Sequence, residues 1–312
     1  MSIFLLHLCY NCIICNILLE YIQICDIILS NFEGLSPNYP KGKKRTVPKL
    51  PKEKKWDRSQ ISLKGDYMIE LLSPVGDFEC LKAAVQNGAD AVYFGANLFS
   101  ARAFASNFDD NILEEAINYA KIRGVKTNLT LNTLIKNNEV ADAINLAKKA
   151  YEYGIDAIIV QDLGLARYLI KNFPGLHVHG STQMSVHNLN GVHKLQELGF
   201  SRVVLSRELS IKEIEEICKN SDIEIEVFVH GALCISYSGQ CLFSSMVGGR
   251  SGNRGKCAQP RRLPYELIEN NQANQKVIDN GYLLSPRDLC GLEFLPQLVN
   301  AGVSCLKIEG RM

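Results

Sequence analysis

Ile69-Glu70-Leu71-Leu72-Ser73-Pro74, then Ala91-Val92-Tyr93-Phe94-Gly95, then Lys126-Thr127-Asn128-Leu129-Thr130-Leu131 set the rhythm of this chain. Each is a short, largely apolar run. Between them lie longer stretches, such as 113–123, whose apolar residues recur every three or four positions. Runs of that length read as buried strands, and that spacing reads as amphipathic helix. The alternation continues. Further strands are predicted at 157–161, 177–181, 202–206, 223–229 and 305–308, with a helix at 139–153 among those between. Gly88, Gly124, Gly154 and Gly199 each precede a strand, where a helix C-cap belongs.

Eight strands in alternation with helices predict an α/β protein with a (β/α)8, TIM-barrel-like fold. An open doubly wound sheet is the alternative. It usually has a Gly-rich first turn, but here that turn is Ser73-Pro74-Val75-Gly76-Asp77, with no dinucleotide fingerprint. Residues 231–304 break the rhythm after the seventh strand. They read as a cysteine-bearing elaboration on the face where barrel active sites sit. No eighth helix follows the last strand before Met312, so the final helix is expected to be truncated and the chain a fragment.

Composition narrows the function classes. Of 312 residues, 46% are hydrophobic and 21% charged, the balance of a protein with a sizeable core. The net charge of +1 argues against a wholly basic nucleic-acid binder. The charge is uneven: residues 1–67 hold ten Lys/Arg against six Asp/Glu, and residues 68–312 hold 24 against 27. Eleven cysteines are dispersed over a long chain, unlike a small disulfide scaffold.

Residues 1–67 differ from the rest. The apolar stretch 3–29 contains Glu20 and Asp26, which a membrane span should lack. No Lys or Arg precedes Lys41, so the basic start of a signal peptide is missing. The run 38–58 is rich in Pro and Lys and without periodicity. The segment is expected to be a non-native or disordered extension, with Met68 as the true start. A membrane anchor followed by a basic linker is the rival. Cys9, Cys12, Cys15 and Cys25 imitate a metal-binding run and stand or fall with the segment.

Chemistry concentrates after the seventh strand. Glu226-Val227-Phe228-Val229-His230-Gly231-Ala232-Leu233-Cys234 leads on to Cys241, then to Cys257 and Cys290. Four thiolates gathered on one face suit either Zn(II) or an iron–sulfur cluster. Structural zinc sites usually contain tight Cys pairs, and none occurs here. Four small buried hydrophobes remain the bland alternative. Cys80, Cys218 and Cys305 are assigned to the core. His230 and Cys234 could form a nucleophile and base, but nothing in the sequence orients the imidazole.

Polar residues also gather at other strand ends. They include Asn132, Gln161, Asp162, Ser181, Thr182, Gln183, Ser206, Arg207 and Glu208, with Lys307, Glu309 and Arg311 after the last strand. About half are expected to line a pocket, the rest to cap helices and turns. His177 and His179 are expected to divide between the inside and the outside of the barrel, which disfavours a shared metal site. The basic stretch 248–256, with Arg261 and Arg262, could hold a phosphate or carboxylate, or be a solvated loop.

From about Met68 to Met312 the chain resembles the peptidase U32 family, also called collagenase-like proteases. The resemblance rests on Glu70 to Gly76, Ala89 to Gly95, Ser181-Thr182-Gln183, Glu226 to Ser245, and Leu306-Lys307-Ile308-Glu309-Gly310-Arg311. It implies a TIM-barrel-like domain. It implies that Cys234, Cys241, Cys257 and Cys290 hold a [4Fe-4S] cluster. It also implies oxygen-independent hydroxylation, of ribosomal RNA, of a ubiquinone precursor or, as the leading reading, of tRNA uridine 34 with prephenate as donor. Gln183, Arg207, Glu226 and His230 are then the candidate catalytic and donor-binding residues. The implied partners are tRNA or another RNA, a small carboxylate donor and a possible second U32 subunit, in the cytoplasm and with no membrane. Proteolysis, with Zn as the alternative metal, is the second function, and a non-catalytic subunit the third. Arg261 departs from the pattern, standing where many members carry another Cys.

Overall fold

A computed structural model describes residues 69–101, 108, 110–271 and 274–310. The readings placed on residues 1–67, on the Met68 start and on Arg311 lie outside the described residues.

Strand and helix alternate as the periodicity predicts. β1 (Glu70–Pro74) leads to α1 (Phe78–Gln86), β2 (Ala91–Gly95) to α2 (Asp110–Lys121), and β3 (Lys126–Leu131) to α3 (Val140–Glu152). Then come β4 (Ala157–Val160), α4 (Leu163–Asn172), β5 (His177–Gly180), α5 (Leu189–Glu197), β6 (Arg202–Val204), α6 (Ile211–Lys219) and β7 (Glu224–Gly231). The elaboration carries α7 (Phe243–Gly248), β8 (Tyr265–Asn271), β9 (Asn274–Gly281) and β10 (Leu289–Cys290). α8 (Leu295–Ala301) returns the chain to the barrel, and β11 (Cys305–Ile308) is its eighth staff.

Eight parallel strands run in the order β1-β2-β3-β4-β5-β6-β7-β11, and β11 pairs with β1 to close the ring. The helices start where side chains cap them. Asp77 accepts from the Cys80 N–H at 2.7 Å, and Asp162 from the Leu165 N–H at 2.9 Å. Ser210 and Glu213 form a reciprocal capping box at α6. Gly88, Gly124, Gly154 and Gly199 all take positive φ, as C-cap glycines do.

Two cores follow from the two faces of the strands. The outer one packs Leu71, Phe94, Leu129, Ile158 and Leu306 against helix residues such as Leu81, Leu113, Ile117 and Leu169. The inner one is small: Leu72, Ala91, Tyr93, Ile159 and Cys305. Much of the rest of the buried interior is polar, with Glu70, Asn128, His179, Arg202, Glu226 and Lys307. Residues two apart on a strand share a face, so His177 and His179 do not divide between inside and outside. Depth separates them instead: His179 is buried, while His177 is exposed at the start of β5.

The elaboration is smaller than 231–304, because α8 rejoins the ring of helices and packs on α6. β8 and β9 form a separate two-stranded hairpin. β10 adds antiparallel to the upper end of β7, pairing Cys290 with His230. Gly291 is required there: a Cβ would stand 2.6 Å from the Val229 carbonyl oxygen.

Candidate functional site

The upper, carboxyl-terminal rim of the barrel surrounds a cavity of about 160 Å³. Tyr93 of β2, Thr130 of β3 and Phe228 of β7 form part of its wall. Asn132, Ser181, Thr182, Gln183, Arg207, Lys307 and Glu309, all marked by the sequence as strand-end polar residues, line it too. Two of the other described strand-end groups, Asp162 and Glu208, have structural work. Asp162 caps α4, and Glu208 accepts from the Ser238 N–H at 2.8 Å.

Charge reaches this rim along a ladder inside the barrel. Exposed Lys126 bonds Glu70 at 2.9 Å, and Glu70 accepts from Arg202 at 2.6 Å. Arg202 also meets Glu224 at 2.7 Å and Glu226 at 3.3 Å. The second oxygen of Glu226 accepts from Lys307 Nζ at 2.7 Å. Buried charges are tolerated only when paired in this way. Glu226 is therefore fully buried beneath the cavity, and Lys307 is the ladder's upper end. The Lys307 ammonium lies 4.4 Å from the centre of the Tyr93 ring and 5.3 Å from that of Phe228, within cation–π range. Burial pushes the Glu70 carboxyl up, but hydrogen bonds and charge from Arg202 and Lys126 outweigh it and hold it below the ordinary range. Burial, helped by Arg202 and Lys307, holds the His179 imidazole well below its ordinary value and hence neutral.

Arg207 is fixed from three sides. Its guanidinium donates to the Ala232 carbonyl at 2.7 Å, pairs with Glu309, and lies 5.2 Å from the Phe228 ring centre. Gln183 lies in the turn after β5, and its carbonyl accepts from Gln161 at 3.2 Å. His230, on β7 opposite Cys290, is not among the residues lining the cavity.

Cys234, Cys241 and Cys257 line the rim cavity and also an adjoining one of about 120 Å³. Arg261 and Ser236 belong to both walls. The loop 232–241 is docked on the turn after β5. Ser185 Oγ donates to the Ser238 carbonyl at 2.6 Å, and Gln240 Nε2 donates to Ser185 Oγ at 2.7 Å. Gly239, at φ +75°, lies so close that a Cβ would stand 2.2 Å from the Gln183 carbonyl oxygen. The Gln259 N–H points at Cys257 Sγ from 3.3 Å, and Ser244 Oγ accepts from the Ala258 N–H at 2.9 Å. Cys290 is exposed on β10 and lines neither cavity. Among the described residues, no group of three or more His, Cys, Asp or Glu side chains could hold a metal ion as the side chains stand. Cys305 is buried in the inner core, and Cys80 and Cys218 pack against the outer one.

The basic stretch is largely committed to the protein itself. Arg254 forks onto Glu139, with an Nη1–Oε2 distance of 2.8 Å, and also bonds the Leu134 carbonyl. Arg262 holds Ser285, the Pro286 carbonyl and Asp288. Sequence reasoning missed Tyr93, Phe228 and the Glu70–Arg202–Glu226 ladder. A signal was present, since β1, β3, β6 and β7 each begin with a charged residue.

A closed parallel barrel whose upper rim carries a cysteine-lined crown defines the class of fold and site. The chain belongs to peptidase family U32, whose sequence profile matches residues 76–312. It is 41% identical over 245 residues to the 23S rRNA 5-hydroxycytidine C2501 synthase of Escherichia coli (strain K12), covering 78% of this chain and 37% of that one. It is 39% identical over 247 residues to tRNA hydroxylation protein P1 of Bacillus subtilis (strain 168), covering 78% and 58%. A Collagenase of Porphyromonas gingivalis is 36% identical over 254 residues, covering 78% and 61%. The chain thus spans between about a third and three-fifths of these relatives. The solved U32 peptidase Mk0906 shares the fold with a TM-score of 0.54 at 14% identity, over 86% of this chain and 99% of that one. Among the described residues, no helix is long and apolar enough to cross a membrane.

Proposed function

We propose that this protein is an RNA-modifying enzyme of the U32 family that supports oxygen-independent hydroxylation of a nucleobase in the cytoplasm. tRNA uridine 34 is the leading target, and prephenate or a similar small acid the donor. The observation that carries the reading is one shared wall: Cys234, Cys241 and Cys257 line both the rim cavity and the cavity beside it. Relatives named for rRNA and tRNA hydroxylation, at 41% and 39% identity, support it.

The donor set suits a [4Fe-4S] cluster. Three cysteines line a common space, and a backbone N–H points at the sulfur of one of them, a contact that tunes such centres. Cys234, Cys241 and Cys257 would be ligands, with Cys290 as the fourth from β10, the strand paired to the one that feeds Cys234. Bound there, the cluster would supply electron transfer or Lewis acidity. The chain's own residues bind and orient. Lys307 offers positive charge from below, and Glu226 fixes its position. Arg207, immobilised by Glu309 and Ala232, shapes the wall, and Tyr93 and Phe228 provide apolar faces for a ring.

The test is anaerobic purification with iron and sulfide analysis, beside nucleoside mass spectrometry of tRNA and rRNA from a deletion strain. The expected result is about four irons per chain, reduced in each of Cys234→Ala, Cys241→Ala, Cys257→Ala and Cys290→Ala, with one hydroxylated nucleoside lost on deletion. An unchanged nucleoside profile would overturn the RNA reading. Peptide cleavage by cluster-free protein would put proteolysis in its place.

A further inference from the structure

Three cations line the rim cavity, Arg207, Arg261 and Lys307, and Arg254 stands in the basic loop beside it; of these four, only Arg261 lacks an acidic partner among the described residues. Arg207 is matched by Glu309, Lys307 by Glu226 and Arg254 by Glu139. Arg261 makes one hydrogen bond among the described residues, from Nε to the Leu233 carbonyl at 3.3 Å. Its terminal nitrogens therefore carry the surplus charge of the rim. Arg261 stands on the wall shared by the two cavities, and Lys307 lines the rim cavity from the barrel side.

We propose that Arg261 and Lys307 are the two poles of a subsite for a small organic acid, with Arg261 setting its specificity. A guanidinium fork matches a carboxylate with two parallel hydrogen bonds, and in a partly desolvated cavity such charge-assisted bonds are the strong ones. Lys307 adds a point charge between two aromatic faces, Tyr93 and Phe228, which suits an acid with an unsaturated or ring body. A neutral ligand would leave Arg261 partly desolvated and unmatched, at a cost. The volume of about 160 Å³ admits a small acid and leaves little room for a nucleotide. This subsite deepens the hydroxylation reading and rests on it only for the use made of the bound acid.

The test is calorimetric titration of the full chain at fixed ionic strength with malonate, uncharged malonamide and inorganic phosphate. Malonate is expected to bind saturably, one per chain, with phosphate weaker and malonamide silent. Arg261→Gln should weaken malonate about tenfold or more, the size expected for a lost charge-assisted pair. Arg261→Lys should recover part of the loss, and Lys307→Met should weaken binding further. Arg250→Gln, in the same loop but lining neither cavity, is the charge control and should bind as wild type does. Should Lys307→Met fail to fold, the two Arg261 variants carry the test, with circular dichroism confirming their fold. Equal malonate affinity in wild type and Arg261→Gln, no saturable binding, or phosphate tighter than malonate would overturn the proposal. The titration needs neither RNA nor turnover, so its failure is separable from a failure of the hydroxylation reading.

Discussion

Glu226 and Lys307 are joined inside the barrel, carboxylate oxygen to ammonium at 2.7 Å, with side chains 0% and 5% exposed. Glu226 is held on its other oxygen by Arg202. The two partners are therefore not equivalent. Glu226→Gln leaves two cations short of an anion, and breaking a buried pair from one side typically costs about 3–5 kcal/mol. Lys307→Met leaves Glu226 still bonded to Arg202 and is expected to cost less. Urea unfolding of both variants and the double variant measures the difference. Equal losses would mean that Arg202 contributes nothing to holding Glu226.

The pH dependence of stability should carry the mark of two interior groups. His179 is neutral when folded, because burial and the nearby cations hold its imidazole well below the ordinary value. On acidification below about 6.5, the unfolded chain binds a proton that the folded one refuses. Stability then falls with decreasing pH, by up to about 1.4 kcal/mol per unit. Glu70 has the opposite kind of group and the same sense. Its folded value is lowered, so its contribution is present above the ordinary carboxylate value and is lost as pH falls through the lower folded one. Urea midpoints between pH 7.5 and 5.5 should therefore drop in wild type and flatten in His179→Leu. An identical slope in the variant would refute the assignment to His179.

Gly239→Ala tests how the cysteine loop is seated. The new methyl would meet the Gln183 carbonyl oxygen at 2.2 Å, and the positive φ disfavours any Cβ. The loop must lift from the turn after β5, breaking its bonds to Ser185. The expected outcome is a folded barrel with faster proteolysis within 232–241 and loss of any group held by Cys234 and Cys241. Unchanged cleavage there would show that the backbone accommodates the methyl without undocking.

The barrel was legible because its strands are buried on both faces and its helices are amphipathic, so β1 to β7 and β11 stand out as apolar runs. The hairpin β8–β9 was not. Leu267, Ile268, Val277 and Ile278 are exposed, interspersed with Glu266, Glu269 and Asp279, and no burial imposes an alternating pattern. The ladder was hidden for another reason: Glu70 and Arg202 lie 132 positions apart and meet only once the barrel closes. The cysteine crown was half legible. Their place after the seventh strand and the family resemblance marked Cys234, Cys241, Cys257 and Cys290 as a set, but which of them share a cavity depends on how the loop docks on Gln183 and Ser185.

Arg254 ties the basic loop to the start of α3, through Glu139 and the Leu134 carbonyl. Both side chains of the ion pair are partly exposed, so global stability should barely change in Arg254→Ala. Local order should change: amide exchange in residues 250–257 is expected to rise several-fold while exchange in β1 to β7 stays as in wild type. Glu139→Ala should reproduce most of that rise, and the double variant should add little, since the two side chains act as one tether. Additive effects would show that each residue holds the loop separately.

Thiol labelling separates the cysteines by position. In reduced, chelator-treated protein, Cys290 is the exposed one among the described cysteines and should alkylate first of these. Cys234, Cys241 and Cys257 are partly buried around their shared cavity and should follow. Burial pushes the Cys218 thiol up to about 12 and Cys305 well above its ordinary value, so neither forms the reactive thiolate at neutral pH. Peptide mass mapping of a timed maleimide reaction reads the order directly. After reconstitution with iron and sulfide, protection of Cys234, Cys241 and Cys257 alone would leave Cys290 outside the ligand set. Protection of all four would require β10 to present Cys290 toward the crown when the group is bound.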